Sequence, residues 1–238
     1  MASPHMTSHA PALDVRALTA GYGAAVIIRD ISFEVPRGEA VLIAGPNASG
    51  KSTLLRAIHG LLRPRRGSVS VDGSDLTSAA TAIRVRQGMS LLPQRGATFG
   101  ALTVEENIRA AANVVRDGSR DAVESVFASF PQLVPFRHTR AAHLSVGEER
   151  LAGLAVATVL PQRKVILLDE PFAGLAGEIV DALRTHLLRL KNENAALIIV
   201  EHDVHALEGI VETVLRLEHG TFSFRGSLSA YRGLSQHG

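Results

Sequence analysis

Val41-Leu-Ile-Ala-Gly45-Pro-Asn-Ala-Ser-Gly50-Lys51-Ser52-Thr53 is the stretch on which the fold turns. A short apolar run, suited to a buried strand, enters a glycine-rich turn. The turn opens a helical pattern from Lys51 to about His59, with Gly60 placed for a left-handed cap. Gly, four residues, then Gly-Lys-Ser is the pattern of a phosphate-binding loop, and its strand-then-helix setting separates it from a chance glycine-rich turn. Glycines let backbone N–H groups curl around an anion. The helix N-terminus adds unpaired N–H groups and the positive end of its dipole. Lys51 brings a compact charge for the β- and γ-phosphates of a nucleotide, and Ser52 a hydroxyl for Mg²⁺. Gly45, Asn47, Ala48, Ser49, Gly50, Lys51, Ser52 and Thr53 are the candidate phosphate ligands.

Working outward, strands alternate with helices. Leu13–Ala20 and Val26–Val35 read as half-buried strands, and Ser68–Val71 and Met89–Leu92 as further ones. From about Gly100 to His143 the pattern turns helical. Thr103 and Glu106 form a capping box, and a second helical pattern over Asp121–Phe130 stops at Pro131. Phe99, Phe127, Phe130 and Phe136 are expected to pack this insertion, with a docking groove as their alternative use. Alternation then resumes. A helix runs to about Leu160, followed by strand Val165–Leu168, a helix from Glu178 to about Leu190, and strand Ala196–Val200. A short helix and the edge strands Val214–Leu217 and Thr221–Phe224 complete the chain. Short apolar strands between helices imply an α/β fold around a parallel sheet.

Composition narrows the function classes. The chain has 238 residues, 46% hydrophobic and 20% charged, so it buries a sizeable core. Zero cysteines exclude a disulfide scaffold and any Cys-ligated zinc or iron–sulfur site. A net charge of +2 gives no argument for nucleic acid, and the one basic cluster, Arg63-Pro-Arg65-Arg66, reads as a solvated loop. His202 and His205 lack a third partner for zinc. No apolar run approaches the ~18 residues that cross a bilayer. Residues 1–11 lack the pattern of a secretory signal and read as a loose tail or the remnant of an expression leader.

Two further motifs carry chemistry. Val165-Ile-Leu-Leu-Asp169-Glu170-Pro171 delivers two carboxylates at the C-terminal edge of a buried strand, where such sheets bind ligands. Asp169 suits Mg²⁺ held through water, and Glu170 a general base for an attacking water. Leu144-Ser145-Val-Gly-Glu148 is an ordinary capping box, and a capped helix N-terminus is also an anion site.

In order and spacing, the set resembles the ATP-binding cassette family over about residues 12–226. The resemblance implies a P-loop nucleoside triphosphate hydrolase core with an N-terminal antiparallel β subdomain and a helical subdomain at about 96–145. Residues 12–238 would then be one nucleotide-binding domain. Tyr22 matches the aromatic that stacks on adenine, with Val26 beside it. Gln94 matches the glutamine that touches the metal and the lytic water. Ser145 and Gly147 match the signature loop that meets the γ-phosphate held by another protomer. His202 matches the switch histidine. The family implies MgATP hydrolysis, a second cassette subunit in a homo- or heterodimer, and membrane subunits docking near Arg95–Leu102 at the cytoplasmic face. No nucleic-acid partner is implied. Length and local motifs look like the ATPases of branched-chain amino-acid importers. Two positions depart from the family: Val146 stands where Gly is usual, and Ala176 where Asp is usual. They keep open a degenerate cassette with weak hydrolysis. A soluble, non-transport cassette protein is the other alternative.

Overall fold

The computed structural model describes residues 10–114, 120–160, 162–202 and 204–235, so most of the expected N-terminal tail lies outside the described residues. The elements, in chain order, are β1 (Leu13–Ala20), β2 (Ile28–Val35), β3 (Ala40–Ala44), α1 (Lys51–His59), β4 (Arg66–Val71) and β5 (Ser74–Asp75). There follow α2 (Thr81–Arg86), β6 (Met89–Leu92), α3 (Val104–Asn113), α4 (Arg120–Ser129), α5 (Val146–Ala157) and β7 (Val165–Asp169). The last are α6 (Glu178–Asn192), β8 (Ala196–Val200), β9 (Thr213–Glu218), β10 (Thr221–Ser227) and α7 (Leu228–Ser235).

Two sheets form. One is antiparallel, ordered β2-β1-β4-β5; the other has six strands ordered β10-β9-β3-β8-β7-β6. In the six-stranded sheet β9, β3, β8, β7 and β6 run parallel, and β10 returns antiparallel. The apolar runs expected as buried strands, β3, β7 and β8, are buried at every residue. They lie in the middle of the sheet and need cover on both faces. One face packs against α1 and the antiparallel sheet through Ile43, Leu54, Ile58, Leu167 and Ile198. The other packs under α3, α5 and α6 through Leu42, Ile108, Leu154, Ile166 and Leu187. Phe33 and Phe222 meet edge to face at 5.8 Å and tie the two sheets together.

Some expectations need correction. The second strand starts at Ile28, not Val26, because residues 21–25 turn: Ala25 N donates to Tyr22 O at 2.9 Å and Ile27 N to Ala20 O at 2.9 Å. The Val214–Leu217 segment is not an edge strand, since β9 is flanked by β3 and β10, and β10 alone forms that edge. The helix after Ser145 ends at Ala157, where Thr158 turns its hydroxyl back onto Leu154 O at 2.7 Å. Phe127 and Phe130 are buried and Phe136 is half-buried, whereas Phe99 is 70% exposed and lies outside that core.

Candidate functional site

The C-terminal ends of β3, β7 and β8 deliver the candidate residues to one edge of the sheet. After β3 the chain enters its glycine-rich turn with Gly45 at φ +142, Ala48 at φ +62 and Gly50 at φ +108. A Cβ at Gly45 would come within 2.2 Å of Leu217 O, so only glycine fits there. α1 then starts directly at Lys51 and stops at Gly60, whose left-handed φ of 85° allows the expected cap. Lys51 is buried, and its Nζ donates to Gly45 O and Pro46 O, both at 2.8 Å. Burial holds its pKa below the usual lysine value, against the attraction of Glu170 and Asp169.

Asp169, at the end of β7, is buried and bonds the Ser52 hydroxyl; burial pushes its carboxyl above the usual range. Its Oδ1 is buried with no hydrogen-bond partner, as is Ser49 Oγ. A buried carboxylate oxygen without a donor, beside a hydroxyl at a helix N-terminus, is the donor set a hard divalent cation takes. The residues present therefore fit Mg²⁺ beside a phosphate chain.

Glu170 follows at φ +51, an unfavourable backbone region for a non-glycine residue, held there by its N–H on Val200 O at 2.9 Å. Gln94 Nε2 donates to Glu170 Oε2 at 2.5 Å, and His202 Nε2 lies 3.2 Å from Glu170 Oε1. Two residues from two separate loops thus converge on the carboxylate of a third. Tyr22 is 45% exposed, and its hydroxyl accepts from Arg56 Nη1 of α1 at 3.1 Å, so α1 links the tyrosine to the phosphate loop. Val26 is half-buried in the same turn, and Asn47 and Ala48 are exposed at the loop tip.

Ser145 and Gly147 lie apart from this cluster. Ser145 caps α5: Glu148 N donates to its Oγ at 3.4 Å, and Ser145 N donates to Glu148 Oε2 at 2.7 Å. Gly147 faces Ile179 of α6. Val146 is 65% exposed. A cavity of about 510 Å³ brings the two regions onto one face; it is lined by Gln94, Arg95, Gly96, Val146, Arg150 and Gly174, among others. Arg150 crosses it to donate to Pro93 O at 3.1 Å.

Sequence reasoning missed Glu201. It is buried, its carboxyl is raised by burial, and it accepts from Phe172 N at 2.6 Å and from His202 N at 2.9 Å. It therefore clamps the loop after Glu170 to the loop bearing His202. Its only signal is a charged residue directly after the apolar run of β8. Among the described residues no group of three or more His, Cys, Asp or Glu side chains is placed to hold a metal ion, around His202 and His205 or elsewhere. No helix among them is long and apolar enough to cross a membrane.

The chain is similar to known proteins in sequence and in fold. A family model described as ABC transporter matches residues 28–173. The probable branched-chain amino acid transport ATP-binding protein LivF of Archaeoglobus fulgidus is 33% identical over 213 residues, 88% of this chain and 89% of that protein. The lipopolysaccharide export system ATP-binding protein LptB of Acidithiobacillus ferridurans is 31% identical over 217 residues, 90% of each chain. A solved structure described as the ATP binding subunit of an ABC transporter superposes with a TM-score of 0.82 at 28% identity, covering 94% of this chain and 93% of that one. The ADP conformation of MJ1267, an ATP-binding cassette of an ABC transporter, gives a TM-score of 0.79 at 25% identity over 90% of both chains.

Proposed function

Since the chain belongs to the ABC transporter family and is an ATP-binding, ATP-hydrolysing subunit of that class, we propose that it powers solute movement through separate membrane subunits by closing around MgATP with a second cassette. The observation that carries the reading is the convergence of Gln94 and His202 on Glu170, next to the Lys51–Ser52–Asp169 cluster.

In this reading Lys51 and the N–H groups of residues 45–53 hold the phosphates. Tyr22 stacks on adenine, with Val26 beside it. Ser52, Asp169 and Gln94 hold Mg²⁺, which when bound offsets charge on the triphosphate. Glu170 takes a proton from the water that attacks the γ-phosphorus, and the bond to the leaving ADP breaks. Gln94 and His202 aim that carboxylate and donate toward the phosphoryl oxygens. One phosphate loop leaves the far side of the triphosphate in water. The capped N-terminus of α5 in a second cassette, with Ser145 and Gly147, would exclude that water and add preorganised donors.

Residues 12–238 act as one nucleotide-binding domain, with about 96–145 as its helical arm. The exposed Phe99 and the cavity at Gln94–Ala97 suit a short helix from a membrane subunit near Arg95–Leu102. The chain then works at the cytoplasmic face of the membrane. Likeness to LivF favours uptake of branched-chain amino acids or related solutes. Purification of the native complex from membranes and identification of its other chains tests that assignment; copurifying RNA in place of membrane proteins would overturn it. Glu170→Gln should abolish turnover while stabilising an ATP-bound dimer. An ATP-loaded variant that stays monomeric, alone and with the membrane subunits, would refute the shared site.

A further inference from the structure

Arg65 belongs to the basic cluster that composition reads as solvated, yet its guanidinium is engaged. Nη2 donates to Gly23 O at 2.5 Å and Ala25 O at 3.1 Å, and Nη1 donates to Ala24 O at 3.4 Å. Its backbone N–H is pinned to Thr19 O of β1 at 2.8 Å. One planar cation thus holds three consecutive carbonyls of the turn that carries Tyr22. The turn needs such an anchor. Gly23 sits at φ +51, and a Cβ at Gly21 would lie 2.0 Å from Ala25 O, so the backbone is tightly folded there. Arg56 fixes the other end by donating to the Tyr22 hydroxyl.

We propose that Arg65 is a positioning residue for the nucleotide base: by gathering the carbonyls of residues 23–25 it presets the Tyr22 ring for stacking. The proposal rests on the reading of Tyr22 as the adenine-stacking residue. A guanidinium suits the task because its donors form a rigid fork, whereas a lysine gathers its three donors on one nitrogen at the end of a flexible stem and holds such an array less firmly. Preset geometry saves the ordering cost that a loose loop would add on binding. The hydrogen bonds of Arg65 go to the Tyr22 turn and to β1 rather than to the candidate phosphate ligands at 45–53, so its effect is expected only for ligands that carry a base.

The test compares binding of MgATP and of magnesium tripolyphosphate, which lacks base and sugar, to the full chain. Arg65→Ala should weaken ATP about tenfold, and Arg65→Lys should fall between it and the parent. Tripolyphosphate affinity should stay within about twofold in both. In a Tyr22→Ala background, Arg65→Ala should add almost nothing, because the two changes remove one interaction. Equal losses for ATP and tripolyphosphate, or an additive loss in the Tyr22→Ala background, would overturn the proposal. If the parent itself binds ATP no tighter than tripolyphosphate, the stacking role of Tyr22 fails, and Arg65 with it.

Discussion

Replacing Arg84 by Met should lower the melting temperature by about 10 °C. Arg84 is 1% exposed, in the short helix α2. Its guanidinium donates to Ala57 O at 3.2 Å and to Ile58 O, both at the C-terminal end of α1. It also donates to Thr77 O at 2.8 Å and Ala79 O at 3.1 Å. Ala57 O keeps the N–H of Gly60 as a second partner at 3.3 Å, so three carbonyls lose this donor outright. Methionine preserves most of the side-chain volume and isolates that loss. Each orphaned acceptor costs about 1–3 kcal/mol, the upper end for Ile58 O, whose bond is buried, and the lower end for Thr77 O and Ala79 O, whose bonds are partly buried. Relief from burying a charge, which already holds the Arg84 pKa down, returns part of it, leaving a net loss of roughly 3–4 kcal/mol. For a chain of this size 1 kcal/mol moves the midpoint by about 2–4 °C. Thermal unfolding read by far-ultraviolet circular dichroism measures the shift. Gly60→Ala offers an internal check: its Cβ would lie 2.7 Å from Arg84 Nε, so its cost should shrink in the Arg84→Met background. A melting temperature within about 3 °C of the parent would mean that water satisfies those carbonyls, and the reasoning from burial would fail.

Glu201→Gln leaves one of the two clamped amides facing a donor, so kcat should fall about tenfold while KM for ATP stays within about threefold; an equal rise in KM would assign Glu201 to binding. Restoring Gly at Val146 and Asp at Ala176 together should raise steady-state ATP turnover in the assembled transporter, and a double variant no faster than the parent defeats the idea that these positions restrain hydrolysis. His186, stacked on Phe130 at 4.0 Å, has its pKa lowered to about 3 by burial. The unfolded chain takes up a proton on this residue below about pH 6.5 and the folded chain does not, so its contribution to stability is lost as pH falls through that value. Relative to the parent, His186→Phe should gain roughly 2 kcal/mol between pH 7 and pH 5; parallel melting curves at the two pH values would refute this.

Which parts of the molecule were legible in advance follows from the range of the forces involved. β3, β7 and β8 announced themselves as continuous apolar runs because both of their faces are buried. The bounds of α1 were readable because Gly50 and Gly60 supply left-handed conformations at its ends. The capping boxes at Thr103 and Ser145 are local hydrogen-bond circuits and formed as expected. In contrast, α2 was missed, because its decisive residue is a buried arginine whose partners lie on α1 and in the loop before it. β9 reads as an edge strand from its sequence, because its interior position depends on where crossover connections place it between β3 and β10.

The amino-acid order alone specified the phosphate loop, the acidic pair closing a buried strand, and the α/β class, since each arises from contacts between near neighbours or from burial along one segment. Only the tertiary structure decided that Gln94 and His202 would meet on Glu170, that Glu201 would bind two loops together, and that Arg65 would grip the turn of Tyr22. Those contacts join residues far apart along the chain, and it is sheet order and strand register that bring them within hydrogen-bonding distance.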